Sequence, residues 1–273
     1  MSISRKMQAF GEKSSWIRKM FEQGEKMKAE FGAENVFDFS LGNPDVPPPP
    51  EFDEVINKLV ADHTPGTHGY MPNGGYPWVR EALAGRMSAE QGVQLSGDEI
   101  LMTCGAAGAL NVVMKSLLDP GDEVIILAPF FVEYHFYVDN HGGVVSVVPC
   151  DKEFNINHKA IREAINGRTK AVIVNSPNNP TGQVYSQAAL DTLGALLEEE
   201  GGRYGSTIYL VMDEPYRDIL FDGYAAASTL QAYRNAIVLS SYSKSLSLAG
   251  ERIGFMAVHP EMEGKAELLN ALT

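Results

Sequence analysis

The chain has 273 residues, 44% of them hydrophobic and 21% charged, and a formal net charge of -13. That length allows one large domain or two ordinary ones with a sizeable core. The acidic balance disfavours nucleic acid or an anionic membrane surface as the main partner, although a local pocket on such a protein can still be positive.

In chain order, "MSISRKMQAFGEKSSWIRKM" carries charges but no apolar core followed by a cleavage site, so it reads as a helical arm and not a secretory signal. The proline run Pro47 to Pro50 reads as a rigid, extended connector to the main body. From about Glu51, helical and strand patterns alternate. "FDEVINKLVADH" and "YPWVREALAGRMSAEQG" have helical spacing. "EILMT" is a short apolar strand, and "GAAGALNVVMKSLL" is a helix ended by the turn "DPGD". There follow strands in "EVIILA", "GGVVSVVP", "KAVIVN", "TIYLVMD", "AIVLSS" and "IGFMAV", with helices in "HKAIREAI" and "QAALDTLGALLEEE". The closing "PEMEGKAELLNALT" reads as the opening of a helix with Pro260 in its first turn. The strands are rich in Val and Ile and mostly do not alternate with polar residues, as strands buried on both faces do not. The pattern implies an α/β fold: a mostly parallel sheet covered by helices on both faces. No apolar run approaches a membrane span. Cys104 and Cys150 form neither a metal-ligand spacing nor a disulfide framework, and the chain reads as soluble and cytoplasmic.

Ligands of such sheets sit outside the carboxyl ends of the strands, so the residues just after each strand are the candidates. They are "CGAAG", "PFFVEY", "NSPNNPTG", "DEPY" and "SYSK". In "CGAAGAL" small side chains let backbone N–H groups approach an anion at a helix start, though close helix–strand packing also selects such residues. "NSPNNPTG" is a non-helical, fixed loop that can aim Asn175 and Asn179 at a ligand, and one of its X-Pro bonds is a candidate for the cis form. "VMDEPY" ends a strand on Asp213, a carboxylate costly to bury without a cationic partner. Glu214 reads as the solvent-facing neighbour, and Tyr216 follows. In "SSYSKSLSLAGERIG" Lys244 is the only charge between Asn235 and Gly250. A desolvated lysine has a lowered pKa and becomes a nucleophile. Arg252 adds a fixed cation suited to phosphate.

Phosphate cradle, buried acid, oriented phenol and isolated lysine together match the needs of pyridoxal 5'-phosphate. The same residues carry a resemblance. "SLGNPD", "TCGAAGAL", "APFFVEY", "NSPNNPTG", "DEPY" and "SYSKSLSLAGERIG" resemble, in order, the motifs of fold-type I pyridoxal-phosphate enzymes, specifically class I/II aminotransferases of the aspartate aminotransferase superfamily. The resemblance implies that Lys244 is the Schiff-base lysine and proton shuttle, and that Asp213 pairs with the pyridinium nitrogen. It implies that Tyr216 and Asn179 bond the ring hydroxyl, with Asn179 also near the substrate. The phosphate is assigned to Ser241, Arg252 and the backbone of Gly105, Ala106 and Ala107. Phe131 is assigned to the ring face, with Phe130 as the alternative register. Tyr70 matches a tyrosine that reaches the phosphate of a partner subunit, which implies a homodimer. Gly42 matches a glycine that contacts the substrate carboxylate.

The resemblance implies an N-terminal arm and part of a small domain over 1–46 and a large cofactor-binding domain over 47–273. The rest of the small domain, with the arginine that binds the α-carboxylate, is expected to be largely absent from this chain. The implied activity moves an amino group between an L-amino acid, aspartate or another common one, and a 2-oxo acid. A carbon–sulfur β-lyase on the same scaffold, or a silent cofactor-binding fragment, stands as the alternative. A regulator's ligand-sensing module predicts a DNA-binding domain before "SLGNPD", for which the arm is too short. No metal, nucleic acid or membrane enters this reading.

Overall fold

A computed structural model describes residues 3–39 and 42–273. The chain divides into two compact units, Met1–Asp45 and Val46–Thr273. In the first, helix α1 (Arg5–Phe31) is followed by a short 3-10 turn, Ala33–Asn35. Lys28 Nζ donates to Asp38 Oδ2 at 3.0 Å, which fastens the segment after the turn to the helix.

The second unit holds the alternation expected from the sequence. Its elements are α2 (Pro50–Ala61), α3 (Pro77–Gln91), β1 (Ile100–Cys104), α4 (Gly105–Leu117), β2 (Glu123–Ala128), α5 (Tyr134–Asp139), β3 (Val144–Pro149) and α6 (His158–Ala164). They continue with β4 (Thr169–Asn175), α7 (Gln187–Tyr204), β5 (Tyr209–Asp213), α8 (Thr229–Ala232), β6 (Ala236–Ser241), β7 (Ile253–Val258) and α9 (Lys265–Leu272).

Local chemistry fixes several boundaries. Pro50 begins α2 instead of prolonging the connector, with Glu51 and Asp53 in the first turn; a proline suits this position because its missing N–H has no helical partner there. Asn157 and Ser186 cap α6 and α7 through their side chains, and α7 stops at left-handed Gly205. The closing helix differs from the sequence reading. Residues 260–264 form turns, and α9 begins only after left-handed Gly264, so Pro260 lies before the helix and not in its first turn.

The seven strands form one sheet in the order β1-β7-β6-β5-β4-β2-β3. All run parallel except β7, which pairs antiparallel with β1 and β6. The expected mostly parallel sheet is therefore present, with one reversed strand inside it. Alternate residues of each central strand feed opposite cores. Val172, Val174, Leu210, Met212, Ala236 and Val238 belong to one; Ala171, Ile173, Val211, Ile237 and Leu239 belong to the other. Helices α3, α6, α7 and α8 contribute to the first core, and α4, α5 and α9 to the second. Both faces being covered is why the strands read as continuous apolar runs.

Candidate active site

The strand register assembles the candidate residues at one edge of the sheet. Asn175 pairs with Asp213 at the ends of β4 and β5. Cys104, at the end of β1, pairs with Ile253, and Ser241, at the end of β6, pairs with Gly254. Because β7 is reversed, it starts where its neighbours finish. Arg252, one residue before β7, thus joins the carboxyl-edge residues.

The period of two then selects faces. Asp213 shares its parity with Val211, so it lies on the core side formed by α4 and α5. It is 5% exposed. Its Oδ2 accepts a 2.7 Å hydrogen bond from the Tyr134 hydroxyl, whereas its Oδ1 is buried with no hydrogen-bond partner among the described residues. Burial pushes the carboxyl up to about 6, against the opposing effect of the Tyr134 bond.

Glu214 has the other parity, and the structure corrects its expected solvent-facing position. It is 3% exposed because α3 and the segment entering α8 cover that face. Gln91 Nε2 donates to Glu214 Oε2 at 3.2 Å, Thr229 Oγ1 to Oε1 at 3.3 Å, and Arg217 Nη1 to Oε2 at 3.0 Å. Burial still raises this carboxyl to about 7, with Arg217 the largest opposing influence. The two adjacent acids thus do different work: Glu214 ties the loop to α3, while Asp213 keeps one oxygen available.

Helix α4 begins directly at the end of β1. Gly105 has φ +70°, and a Cβ there would lie 2.7 Å from Arg252 Nη2. The left-handed backbone favours glycine here, and the absence of a side chain lets the guanidinium lie against it. A Cβ on Gly254 would meet the backbone of Gly105 at 2.5 Å and the nitrogen of Ala106 at 2.9 Å. The first N–H groups of an α-helix lack intrahelical partners and carry the positive end of the helix dipole. Gly105, Ala106 and Ala107 present these donors next to Arg252, a combination suited to an anion such as phosphate. Arg252 itself has φ 55°, and its Nη1 donates to the carbonyl of Ala249 at 2.9 Å. Holding a non-glycine residue there costs about 1 kcal/mol or more. Ser241 is buried at the neighbouring strand end.

Lys244 is half-buried in the loop between β6 and β7, and burial lowers its pKa. Its Nζ lies 6.0 Å from the centre of the Tyr216 ring. Burial also raises the Tyr216 phenol, helped by the charge of Asp213, while a side-chain bond with Asn179 works the other way. Lys244, Tyr216, Asn179 and Asp213 therefore form one group. The "NSPNNPTG" loop is as fixed as its prolines suggest. Asn178 Oδ1 accepts from both the backbone and the hydroxyl of Thr181, and both X-Pro bonds are cis, as is Ala128–Pro129. Asn175 departs from its expected role. Its amide donates to the backbone oxygen of Asp213 at 2.8 Å and accepts from the backbone of Asn179 at 2.6 Å. It sets the loop and leaves Asn179 as the outward member.

Phe131 is half-buried, edge-on to Tyr134 at 5.8 Å; Phe130 packs instead against His135 at 5.2 Å. Tyr70 is fully exposed, and Gly42 belongs to the first compact unit; Ser40 and Leu41 of "SLGNPD" lie outside the described residues. Tyr134, which donates to Asp213, is the residue of this candidate site to which sequence reasoning gave no role. Its only signal was a hydroxyl among the aromatics of "PFFVEY". Among the described residues no three His, Cys, Asp or Glu side chains gather as a metal site, and no helix is long and apolar enough to cross a membrane.

The family model for aminotransferase class I and II matches residues 34–273. The chain belongs to that family. A crystal structure of an aminotransferase from Eubacterium rectale superposes with a TM-score of 0.94 at 41% identity, covering 100% of this chain and 69% of that one. A probable aspartate aminotransferase of Methanocaldococcus jannaschii is 30% identical over 258 residues, 94% of this chain and 64% of its own length. The aspartate/prephenate aminotransferase of Thermus thermophilus is 36% identical over 218 residues, 79% of this chain and 54% of its own. The chain thus spans less than two thirds of the length of these two curated relatives.

Proposed function

We propose that this chain carries the cofactor site of a pyridoxal-phosphate-dependent aminotransferase, acting on an L-amino acid and a 2-oxo acid. The observation that carries the reading is the buried Asp213 Oδ1, without a hydrogen-bond partner among the described residues, in one group with a desolvated lysine. A buried carboxylate oxygen without a partner is costly, and a cationic N–H of a bound ring removes that cost. The residues present therefore fit the cofactor. When bound, pyridoxal phosphate supplies an aldehyde for an amine and an electron sink for the α-carbon.

The protein's own groups divide the remaining tasks. Arg252, Ser241 and the first N–H groups of α4 hold the phosphate. Asp213 keeps a proton on the ring nitrogen. Tyr216 and Asn179 would hold the ring hydroxyl, and Phe131 would offer its face to the ring. Lys244 is the covalent anchor, and its Nζ takes and returns the α-proton of the substrate. Its lowered pKa favours the neutral amine needed for both roles. In this reading residues 1–46 form an arm and part of a small domain, with Gly42 at the substrate carboxylate. Residues 47–273 form the cofactor domain, and Tyr70 serves the phosphate of a second copy in a cytoplasmic homodimer. The relatives' names put aspartate first among the amino acids to test.

Incubation with pyridoxal phosphate followed by borohydride should leave a covalent adduct on the Lys244 peptide, read by mass spectrometry and absent in Lys244→Ala. A folded sample with no adduct at Lys244 overturns the assignment. In a separate cofactor-loaded sample that has not been reduced, aspartate and a 2-oxo acid should exchange their amino group; release of ammonia without exchange overturns the transfer reaction.

A further inference from the structure

We infer that Tyr134 is a positioning residue for Asp213: by occupying Oδ2 it fixes the carboxylate so that Oδ1 alone is presented to a cationic ring nitrogen. The inference rests on the cofactor reading above. It starts from an asymmetry. A carboxylate has two equivalent oxygens and can turn about its terminal torsion. Here one oxygen is held at 2.7 Å by a phenol and the other has no partner among the described residues.

The phenol is itself immobilised. Tyr134 is 1% exposed at the start of α5. Phe131 meets its ring edge-on at 5.8 Å, and Tyr137 lies at 6.4 Å. Tyr137 is turned away from Asp213, because its own hydroxyl donates to Glu133 Oε2 at 2.6 Å. The Tyr134 hydroxyl remains a donor, since burial and the Asp213 charge both hold its proton in place. Phenylalanine would fill the same space in the apolar layer and leave both carboxylate oxygens without partners. The hydroxyl is thus accounted for by the carboxylate and not by packing.

The test uses the full chain and two non-covalent probes. Pyridoxamine 5'-phosphate has no aldehyde, so its affinity reads ring and phosphate contacts without Lys244 chemistry. Its analogue with carbon in place of the ring nitrogen removes only the group that Asp213 meets. Calorimetric titration of the wild type should favour the nitrogen compound by tenfold or more. In Tyr134→Phe the affinity for the nitrogen compound should fall about tenfold, the scale of one hydrogen bond to a charged group. The carbon analogue should bind as before, so the preference collapses. Equal losses for both probes, or a preference kept in full, overturn the role of Tyr134 while leaving the cofactor reading intact. A wild type that binds neither probe overturns both. If removing the hydroxyl prevents folding, 3-fluorotyrosine at position 134 replaces it. That side chain keeps the shape and is a stronger donor, so it should change affinity for the nitrogen compound alone; an equal change for both probes overturns the inference.

Discussion

Asp213→Asn is expected to make the cofactor-free protein more stable at neutral pH while removing its grip on the cofactor. Burial lifts the Asp213 carboxyl from 3.8 to about 6, roughly two units at about 1.4 kcal/mol each. Below 3.8 the group is protonated whether the chain is folded or not, and it has no effect. Between 3.8 and 6 the unfolded chain loses the proton and the folded chain keeps it, so stability falls as pH rises. Above 6 the loss is complete, at about 3 kcal/mol. Asparagine does not titrate and escapes this loss. Urea unfolding without cofactor should show the variant gaining about 2 kcal/mol more at pH 8 than at pH 4.5. Glu214 titrates in both proteins and cancels in the difference. Saturating cofactor should reverse the ranking, because only the aspartate gains the binding term. A gain independent of pH, or a variant less stable at pH 8, would refute the account of a buried carboxylate held against its own desolvation.

Two further outcomes follow from the frame around the site. Gly254→Ala places a methyl 2.5 Å from the Gly105 backbone, where no side chain can give way. It should cost about 2 kcal/mol in urea unfolding and weaken inorganic phosphate binding; unchanged values for both would mean that α4 is not seated on β7 as described. Glu214→Ala removes the shared partner of Gln91, Thr229 and Arg217 and should cost at least about 2 kcal/mol, read by thermal melting. A change below about 0.5 kcal/mol would show that the buried network is replaceable.

The strands and helices were legible because both sheet faces are covered, which turns strands into uninterrupted apolar runs. The lysine, the strand-end aspartate and the glycine-rich helix start were legible because each sits at a strand's carboxyl end. Parity was the overlooked information. Two adjacent acids at a strand end must face opposite ways, and with helices on both faces neither needs to reach solvent. Asn175 and Asn179 look equivalent in sequence; they differ because only Asn175 is still in the strand, where its amide meets the neighbouring backbone. Tyr134 escaped because its role depends on a partner 79 positions away. Pro260 was placed by its general preference for first turns, whereas here left-handed Gly264 sets the start of the helix.

The reversal of β7 has a consequence for engineering the chain. A parallel successor to β6 would require a long crossover to the far edge of the sheet, separating Lys244 from Arg252. The hairpin instead puts Lys244 and Arg252, the proposed nucleophile and phosphate-binding cation, on one loop, residues 242–252. Circular permutants opened in far-edge connections, such as the turn before β2, should keep the site assembled. A break inside 242–252 would free one anchor from the other, making this the connection where new termini are least tolerable.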